Sequence, residues 1–239
     1  MKEPVEQGRA ELAEQLVREV VRELSRFVRR PVATYRVQLQ PAFGFKALAE
    51  LVPYLASLGV TDVYAPPYLK ASPGSTDWYD VVDHQELNPE LGTPEEFDAL
   101  LRELAARQMG HLLDFVPNHM AIGSTNPLWM DVLENGPSSV FAHVFDIDWK
   151  PIKEELENRV LVPVLGDQYG TVLERGELQL VFEGGSFQLR YWDQRFPVSP
   201  RQYPQILKHR IETLHEQLPP GDVHYEDYVS IVGALAKLP

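Results

Sequence analysis

The stretch His111-Leu112-Leu113-Asp114-Phe115-Val116-Pro117-Asn118-His119 gathers a carboxylate, a carboxamide and two imidazoles beside a short apolar run. Leu112 to Val116 reads as a strand carrying one buried-looking carboxylate, Asp114, and it empties at once into Pro117, Asn118 and His119. In an α/β protein, chemistry sits at the carboxyl ends of strands, where loops converge over the sheet or barrel mouth. A plainer reading stands beside this one. An Asp in a strand can accept backbone hydrogen bonds, and an Asn-His pair after proline can cap a turn. A second group lies in the long polar loop from Pro66 to Gly92, which runs Pro73-Gly74-Ser75-Thr76 and then Trp78-Tyr79-Asp80-Val81-Val82-Asp83-His84. Loops of that length inside a compact domain are usually functional. Trp78 and Tyr79 could stack on the apolar face of a sugar ring, or equally form a hydrophobic plug beneath the loop. Arg36 and Gln38 form a third pair. They fall on the polar parity of an alternating segment, so a strand covered on both faces would need a lined cavity to receive them.

The elements that must position these residues follow from periodicity. Leu12, Leu16, Val17, Val20, Val21, Leu24, Phe27 and Val28 recur at helical spacing, which predicts an amphipathic helix from Val5 to Val28. Its glutamates lie early (Glu6, Glu11, Glu14) and its arginines late (Arg26, Arg29, Arg30), as the helix dipole favours, and Pro31 stops it. Apolar helix faces mostly bury in their own domain, and that is the expectation here. Thr34 to Leu39 alternates as a strand, and Phe43 to Leu58 is helical and ends at Gly59. Val60 to Ala65 is a second strand, so short joints impose a right-handed parallel crossover. Thr93, Pro94 and Glu96 open a second helix with a capping box, and Gly110 ends it before the stretch described first. Beyond His119 the chain is loop-rich to Asp148. Short strands are then expected at Leu161–Leu165, Leu178–Glu183 and Phe187–Trp192, with turns at Gly166-Asp167, Arg175-Gly176 and Gly184-Gly185. Helices are expected over Tyr203–Leu218 and Glu226–Leu238. The implied division is 1–31 as a helical extension, 32–119 as three βα units, 120–200 as a β-rich insertion and 201–239 as a helical return segment.

Composition removes several function classes. The 239 residues are 44% hydrophobic and 24% charged, enough for an ordinary globular core. A formal charge of −13 and no basic stripe argue against nucleic acid as a partner. The absence of cysteine excludes disulfides, thiolate nucleophiles and Cys-ligated zinc. No phosphate-cradling glycine loop, zinc-type ligand spacing or internal repeat is present, so neither cofactor nor metal is expected. No stretch approaches a membrane span and the N-terminus lacks an apolar signal region, so the expectation is a soluble cytoplasmic protein with no membrane partner.

Strand, helix, strand, long aromatic loop, helix, then a strand ending in Asp-x-x-x-Asn-His resembles the opening of a (β/α)8 barrel of the α-amylase superfamily, glycoside hydrolase family 13. Thr34-Tyr-Arg-Val-Gln-Leu39, Leu69-Lys-Ala-x-Pro-Gly-Ser-Thr76, Tyr79-Asp-Val-Val-Asp-His84, Leu87-Asn-Pro-Glu-Leu-Gly92 and Asp131-Val-Leu-Glu-Asn-Gly136 resemble the maltooligosyltrehalose synthases, densely over residues 31 to 150. The resemblance implies an α/β fold: the first three strands of a TIM barrel with a β-rich domain inserted after strand 3. It implies a maltooligosaccharide substrate, with the remainder of the barrel as a structural partner. By the same resemblance His119 hydrogen-bonds the 6-hydroxyl of the glucose at the cleavage subsite, and Tyr79 stacks under that glucose. Asp114 orients an arginine near the nucleophile, Asp83 supports the Tyr79 loop, and Asn118, a calcium ligand in many amylases, braces its own loop. Arg36 and Gln38 line the pocket. One departure stands out: where these synthases usually read Ser-Thr-His-Gly-Tyr-Asp, this chain has Ser75-Thr76-Asp77-Trp78-Tyr79-Asp80.

The superfamily's retaining mechanism needs an aspartate nucleophile and a glutamic acid/base about 5 Å apart on later strands. The Gly-x-Arg-x-Asp phrase that carries the nucleophile does not occur. Arg190-Tyr-Trp-Asp193, the nearest look-alike, has the wrong spacing. No catalytic residue is therefore assigned, and the chain alone is expected to be inactive. The family reaction is intramolecular transglucosylation of a reducing-end α-1,4 link to an α,α-1,1 link. The alternatives are a fragment of an α-amylase-type hydrolase or glucanotransferase, a non-catalytic α-glucan-binding remnant, and a truncated chain without stable function.

Overall fold

A computed structural model describes residues 3–27, 30–218 and 221–238, with side chains of the first helix described for residues 12–24. In chain order the elements are α1 (Glu3–Phe27), β1 (Thr34–Arg36), α2 (Phe45–Ser57), β2 (Asp62–Ala65), β3 (Leu69–Ala71), β4 (Val81–Leu87), α3 (Pro94–Ala106) and β5 (Gly110–Leu113). Then follow α4 (Pro127–Asn135), α5 (Tyr169–Glu174), β6 (Leu178–Glu183), β7 (Ser186–Tyr191), β8 (Gln194–Pro197), α6 (Tyr203–Leu207), α7 (Ile211–Gln217) and α8 (Val223–Leu235). They form two compact units, one running through Tyr68 and resuming over Leu87–Val116, the other made of Leu69–Glu86 and the chain from Pro117.

The first unit is the expected strand-helix repeat. β1, β2 and β5 pair in parallel with β2 in the centre, Arg36 opposite Tyr64 and Tyr64 opposite Leu112. Phe45, Leu48, Val52 and Leu55 recur every three or four residues along α2 and are buried, as are Leu100 and Leu104 of α3 and Val63 and Ala65 of β2. Each buried Phe, Leu or Val among them stabilises the fold by roughly 1.5–3 kcal/mol. Phe45, Tyr68 and Phe97 meet ring to ring at 5.1–5.8 Å, and His111 stacks on Tyr68 at 5.5 Å. Gly44 caps α2 where a β-carbon would stand 2.0 Å from the Leu91 carbonyl oxygen, so only glycine lets these backbones approach so closely. The capping box forms as read: the Glu96 N–H donates to Thr93 Oγ1 (3.3 Å) and the Thr93 N–H to Glu96 (3.1 Å).

Two readings shift in this unit. The third strand spans Gly110–Leu113, not Leu112–Val116, so Asp114 lies one residue past its end, its N–H still donating to the Ala65 carbonyl (2.9 Å). Leu112, Leu113 and Phe115 are exposed, and among the described residues β5, like β1, pairs on one side only. The N-terminal helix forms, yet Leu12, Leu16, Val17, Val20, Val21 and Leu24 each remain more than half exposed instead of burying in their own domain. Periodicity fixes an apolar face; it does not supply the surface that covers it. The part of that pattern on Val28 and Arg29 lies outside the described residues.

In the second unit the long loop is not structureless: β3 and β4 pair within it. Beyond it, Asn126 and Pro127 start α4 inside the stretch read as loop-rich, the Asn126 side chain accepting the Leu128 and Trp129 N–H groups. β6, β7 and β8 form an antiparallel sheet joined first through Gly184-Gly185, both at positive φ. Leu161–Leu165 is not a strand; the third strand is Gln194–Pro197. The helix expected over Tyr203–Leu218 is broken into α6 and α7 at Arg210, whose φ of 58° is left-handed, and the Tyr228 hydroxyl donates to the Leu207 carbonyl at the end of α6. Among the described residues, no helix is long and apolar enough to cross a membrane.

Candidate functional site

The loop that carries Tyr79 is closed by its own polar side chains. The Ser72 N–H donates to the Asp80 carbonyl (3.1 Å), and the Ser75 hydroxyl donates to Asp80 Oδ1 (2.5 Å) while accepting the Trp78 N–H (3.2 Å). Asp77 accepts the Tyr79 N–H (3.2 Å), a local turn that only a short polar acceptor can make. Trp78, at φ 68°, is 1% exposed. It is the plug of this loop and not a sugar platform, and it keeps a backbone conformation natural to glycine. Burial of the indole offsets the left-handed strain.

His119 is brought to this loop directly. Its Nε2 lies 3.1 Å from the Tyr79 carbonyl. A carbonyl can only accept, so Nε2 is the donor in this contact and Nδ1 is turned elsewhere. The Ala121 N–H donates to the Val81 carbonyl (2.9 Å), tying the segment after His119 to β4. Together His84, Asn118, His119, Phe145 and Asp146 wall a cleft of about 400 Å³. Asp83 turns to its own strand and accepts the Gln85 N–H (2.8 Å). Nearby Lys70 holds its proton above the usual range, because a hydrogen bond to Glu86 (2.7 Å) and the charge of Glu86 favour the ammonium, with Asp83 adding a smaller pull. Asn118 is exposed, and among the described residues no three His, Asp or Glu side chains gather as a metal site.

Within the first unit, Asp114, Arg36 and a residue the sequence reading missed form a line. The Tyr64 hydroxyl donates to Asp114 Oδ2 at 2.6 Å, and the Arg36 guanidinium lies over the Tyr64 ring, 5.8 Å from its centroid. Strand parity brings them together, since Arg36 is the cross-strand neighbour of Tyr64. The signal was present: Tyr64 alternates with buried Val63 and Ala65, which puts its ring on the opposite face. Gln38 shares the parity of Arg36 and is exposed, with a long 3.5 Å hydrogen bond to the Leu39 carbonyl.

These features resemble the opening of an α-amylase-type barrel: parallel βα units, a carboxylate just past the third strand and an imidazole docked on the aromatic loop. Residues 44–142 match the family model described as "Alpha amylase, catalytic domain". The resemblance narrows to the maltooligosyl trehalose synthases. A protein of Mycobacterium tuberculosis (strain ATCC 25618 / H37Rv) named "Putative maltooligosyl trehalose synthase" is 37% identical over 170 residues, which are 65% of this chain and 22% of that protein. The solved maltooligosyltrehalose synthase of Arthrobacter ramosus superposes with a TM-score of 0.62 at 37% identity, over 71% of this chain and 21% of that one. The intracellular maltogenic amylase of Bacillus subtilis (strain 168) is 35% identical over 114 residues, 48% of this chain and 19% of the amylase. The chain therefore spans about a fifth of the length of the relatives it matches.

Proposed function

We propose that this chain is the α-glucan-holding opening segment of an enzyme of the maltooligosyltrehalose synthase type. The observation that carries the reading is the His119 imidazole fixed on the Tyr79 carbonyl at 3.1 Å, which points one ring nitrogen into the loop and leaves Nδ1 for ligand. In this reading Nδ1 accepts the 6-hydroxyl of the glucosyl unit whose bond is broken, and the Tyr79 ring lies beneath the same sugar. On the first unit, taken by itself, Asp114 is a positioning carboxylate oriented by Tyr64, and Arg36 and Gln38 are the polar groups offered to ligand there. Asp83 and Asn118 brace the two loops. The relatives' names supply the substrate class, maltooligosaccharides.

The reaction is a double displacement in which a glucosyl-enzyme ester is intercepted by the anomeric hydroxyl of the released glucose instead of water. Holding that glucose while excluding solvent is what separates the isomerase from a hydrolase. The nucleophile and the acid/base are not among these 239 residues, so the chain by itself binds and does not turn over. Titration calorimetry of the chain with maltopentaose is the first test. Heat of binding that falls at least tenfold in affinity with His119→Ala, a loss of about 1.4 kcal/mol, is expected; equal binding by His119→Ala would refute the site. With a complete barrel, product analysis on maltopentaose should give a non-reducing product of unchanged mass, whereas shortened reducing sugars would assign the hydrolase reading.

A further inference from the structure

The antiparallel β6–β7–β8 sheet carries an aromatic side chain that folding leaves uncovered. Trp192 is 71% exposed, while Trp78 and Trp129 are buried. It sits in the turn between β7 and β8 with a left-handed φ of 55°. The neighbouring Tyr191 is buried, its hydroxyl accepts the Gly166 N–H (2.9 Å), and its ring meets the indole nearly at right angles, 83° at 6.5 Å. The turn is thus anchored on its inner side while the indole faces outward.

Beside it, Gln179 and Arg190 are cross-strand partners, and Arg190 Nη2 donates to Gln179 Oε1 at 2.6 Å. The register also sets Arg190 against Arg195, but Arg195 is taken by Glu183. With Gly176 and Glu177 these side chains wall a groove of about 340 Å³ alongside Trp192. Gly176, at φ 67°, has no atom within 4 Å of where a β-carbon would stand, so that wall is open. Arg190 and Glu177 are the charged groups that line the groove, and Glu177 also faces Arg175 at 3.9 Å, so the cations there are opposed by carboxylates. A phosphate or a nucleic-acid backbone finds no cationic track there. A neutral polyhydroxylated ligand does find what it needs: a flat apolar surface for its C–H face, and planar amide, guanidinium and carboxylate groups for its hydroxyls.

We propose that this groove is a second α-glucan-binding surface, in which one glucosyl ring stacks on Trp192 and its hydroxyls are held by Gln179, Arg190 and Glu177. Its residues are separate from the cleft walled by His84 and His119, and the choice of an α-glucan as ligand rests on the function proposed above. Such a surface would keep a long glucan on the protein while its end is engaged elsewhere, a gain in effective concentration that short oligosaccharides cannot exploit.

The experiment is gel electrophoresis of the 239-residue chain in the presence and absence of soluble starch, with wild type, Trp192→Ala, Trp192→Phe and His119→Ala run together. Thermal melting checks that the variants fold, which an exposed indole should not disturb. Retardation of wild type by starch, loss of about tenfold in apparent affinity in Trp192→Ala, and partial retention in Trp192→Phe and in His119→Ala are expected. As an independent readout, maltoheptaose should protect wild-type fluorescence from acrylamide, because Trp192 is the most exposed indole. Retardation of Trp192→Ala equal to wild type while His119→Ala migrates freely would overturn the groove and leave the Tyr79–His119 reading standing. Wild-type migration unaffected by starch would overturn both.

Discussion

A tryptophan held at a left-handed backbone position sets two free energies against each other. Trp78 gains the burial of a whole indole and gives back roughly 1–2 kcal/mol of backbone strain that glycine would not incur. Trp78→Ala loses the burial and keeps the strain, so a loss of about 3–5 kcal/mol is expected. Trp78→Gly loses the burial and relieves the strain, so it should be more stable than the alanine variant by about 1 kcal/mol, the reverse of the usual order. Urea unfolding midpoints decide this, and an alanine variant at least as stable as the glycine one would sink the account. A second residue-scale effect lies at His111, stacked on Tyr68, with Nε2 buried and no hydrogen-bond partner among the described residues. Burial holds its pKa below the ordinary 6.5. The unfolded chain then binds a proton more readily than the folded one, so stability is complete above pH 6.5 and declines as pH falls from there toward the lowered folded value. Melting temperature should drop between pH 7.5 and 5, and His111→Phe, which keeps the ring stack and removes the titration, should flatten that slope. An unchanged slope would place the pH dependence elsewhere.

At the scale of elements, the helix starts carry the information most directly. Thr93→Ala removes one side of a formed capping box and should cost about 1 kcal/mol. Gly44→Ala should cost more, about 1–3 kcal/mol, since a β-carbon meets backbone at Leu91 and not a side chain that could swing away. Chemical denaturation of the two variants side by side gives the order, and a neutral Gly44→Ala would show that the α2 start can shift. These starts were legible because capping acts within three or four residues. So were the βα repeats and the Gly184-Gly185 hairpin, where period and turn chemistry agree. What was not legible turns on residues in conformations their type disfavours. Trp192 makes a hairpin turn and Arg210 breaks a helix, both at positive φ without glycine, and neither leaves a mark in a pattern search. Motif singles out Asp114, His119 and Tyr79 as candidates, yet it does not reach Tyr64, the group that holds Asp114. Its role arises from register between two strands fifty positions apart in the chain.

At the scale of the whole molecule, apolar surface and net charge pull in opposite directions. Among the described residues β1 and β5 each pair on one side only, with Tyr35 exposed on the first and Leu112 and Leu113 on the second, and α1 adds an uncovered stripe. Unpaired strand edges of this kind template association with further chains. Against this, a formal charge of −13 makes copies repel one another, and salt screens that repulsion within about 10 Å at 0.1 M without weakening apolar contact. Self-association should therefore rise with salt as well as with concentration. The direction separates it from association driven by ion pairs, which salt would dissolve. Leu112→Lys places a charge on the β5 edge, one of the devices by which natural sheets keep their edges unpaired, and should lower the associated fraction at high salt while leaving the monomer folded. Sedimentation velocity at low and high salt, on wild type and variant, reads both effects. A wild type that stays monomeric throughout would mean the open edges are protected by something other than charge. Association that falls with salt would assign it to the acidic and basic groups rather than to the exposed strands and helix.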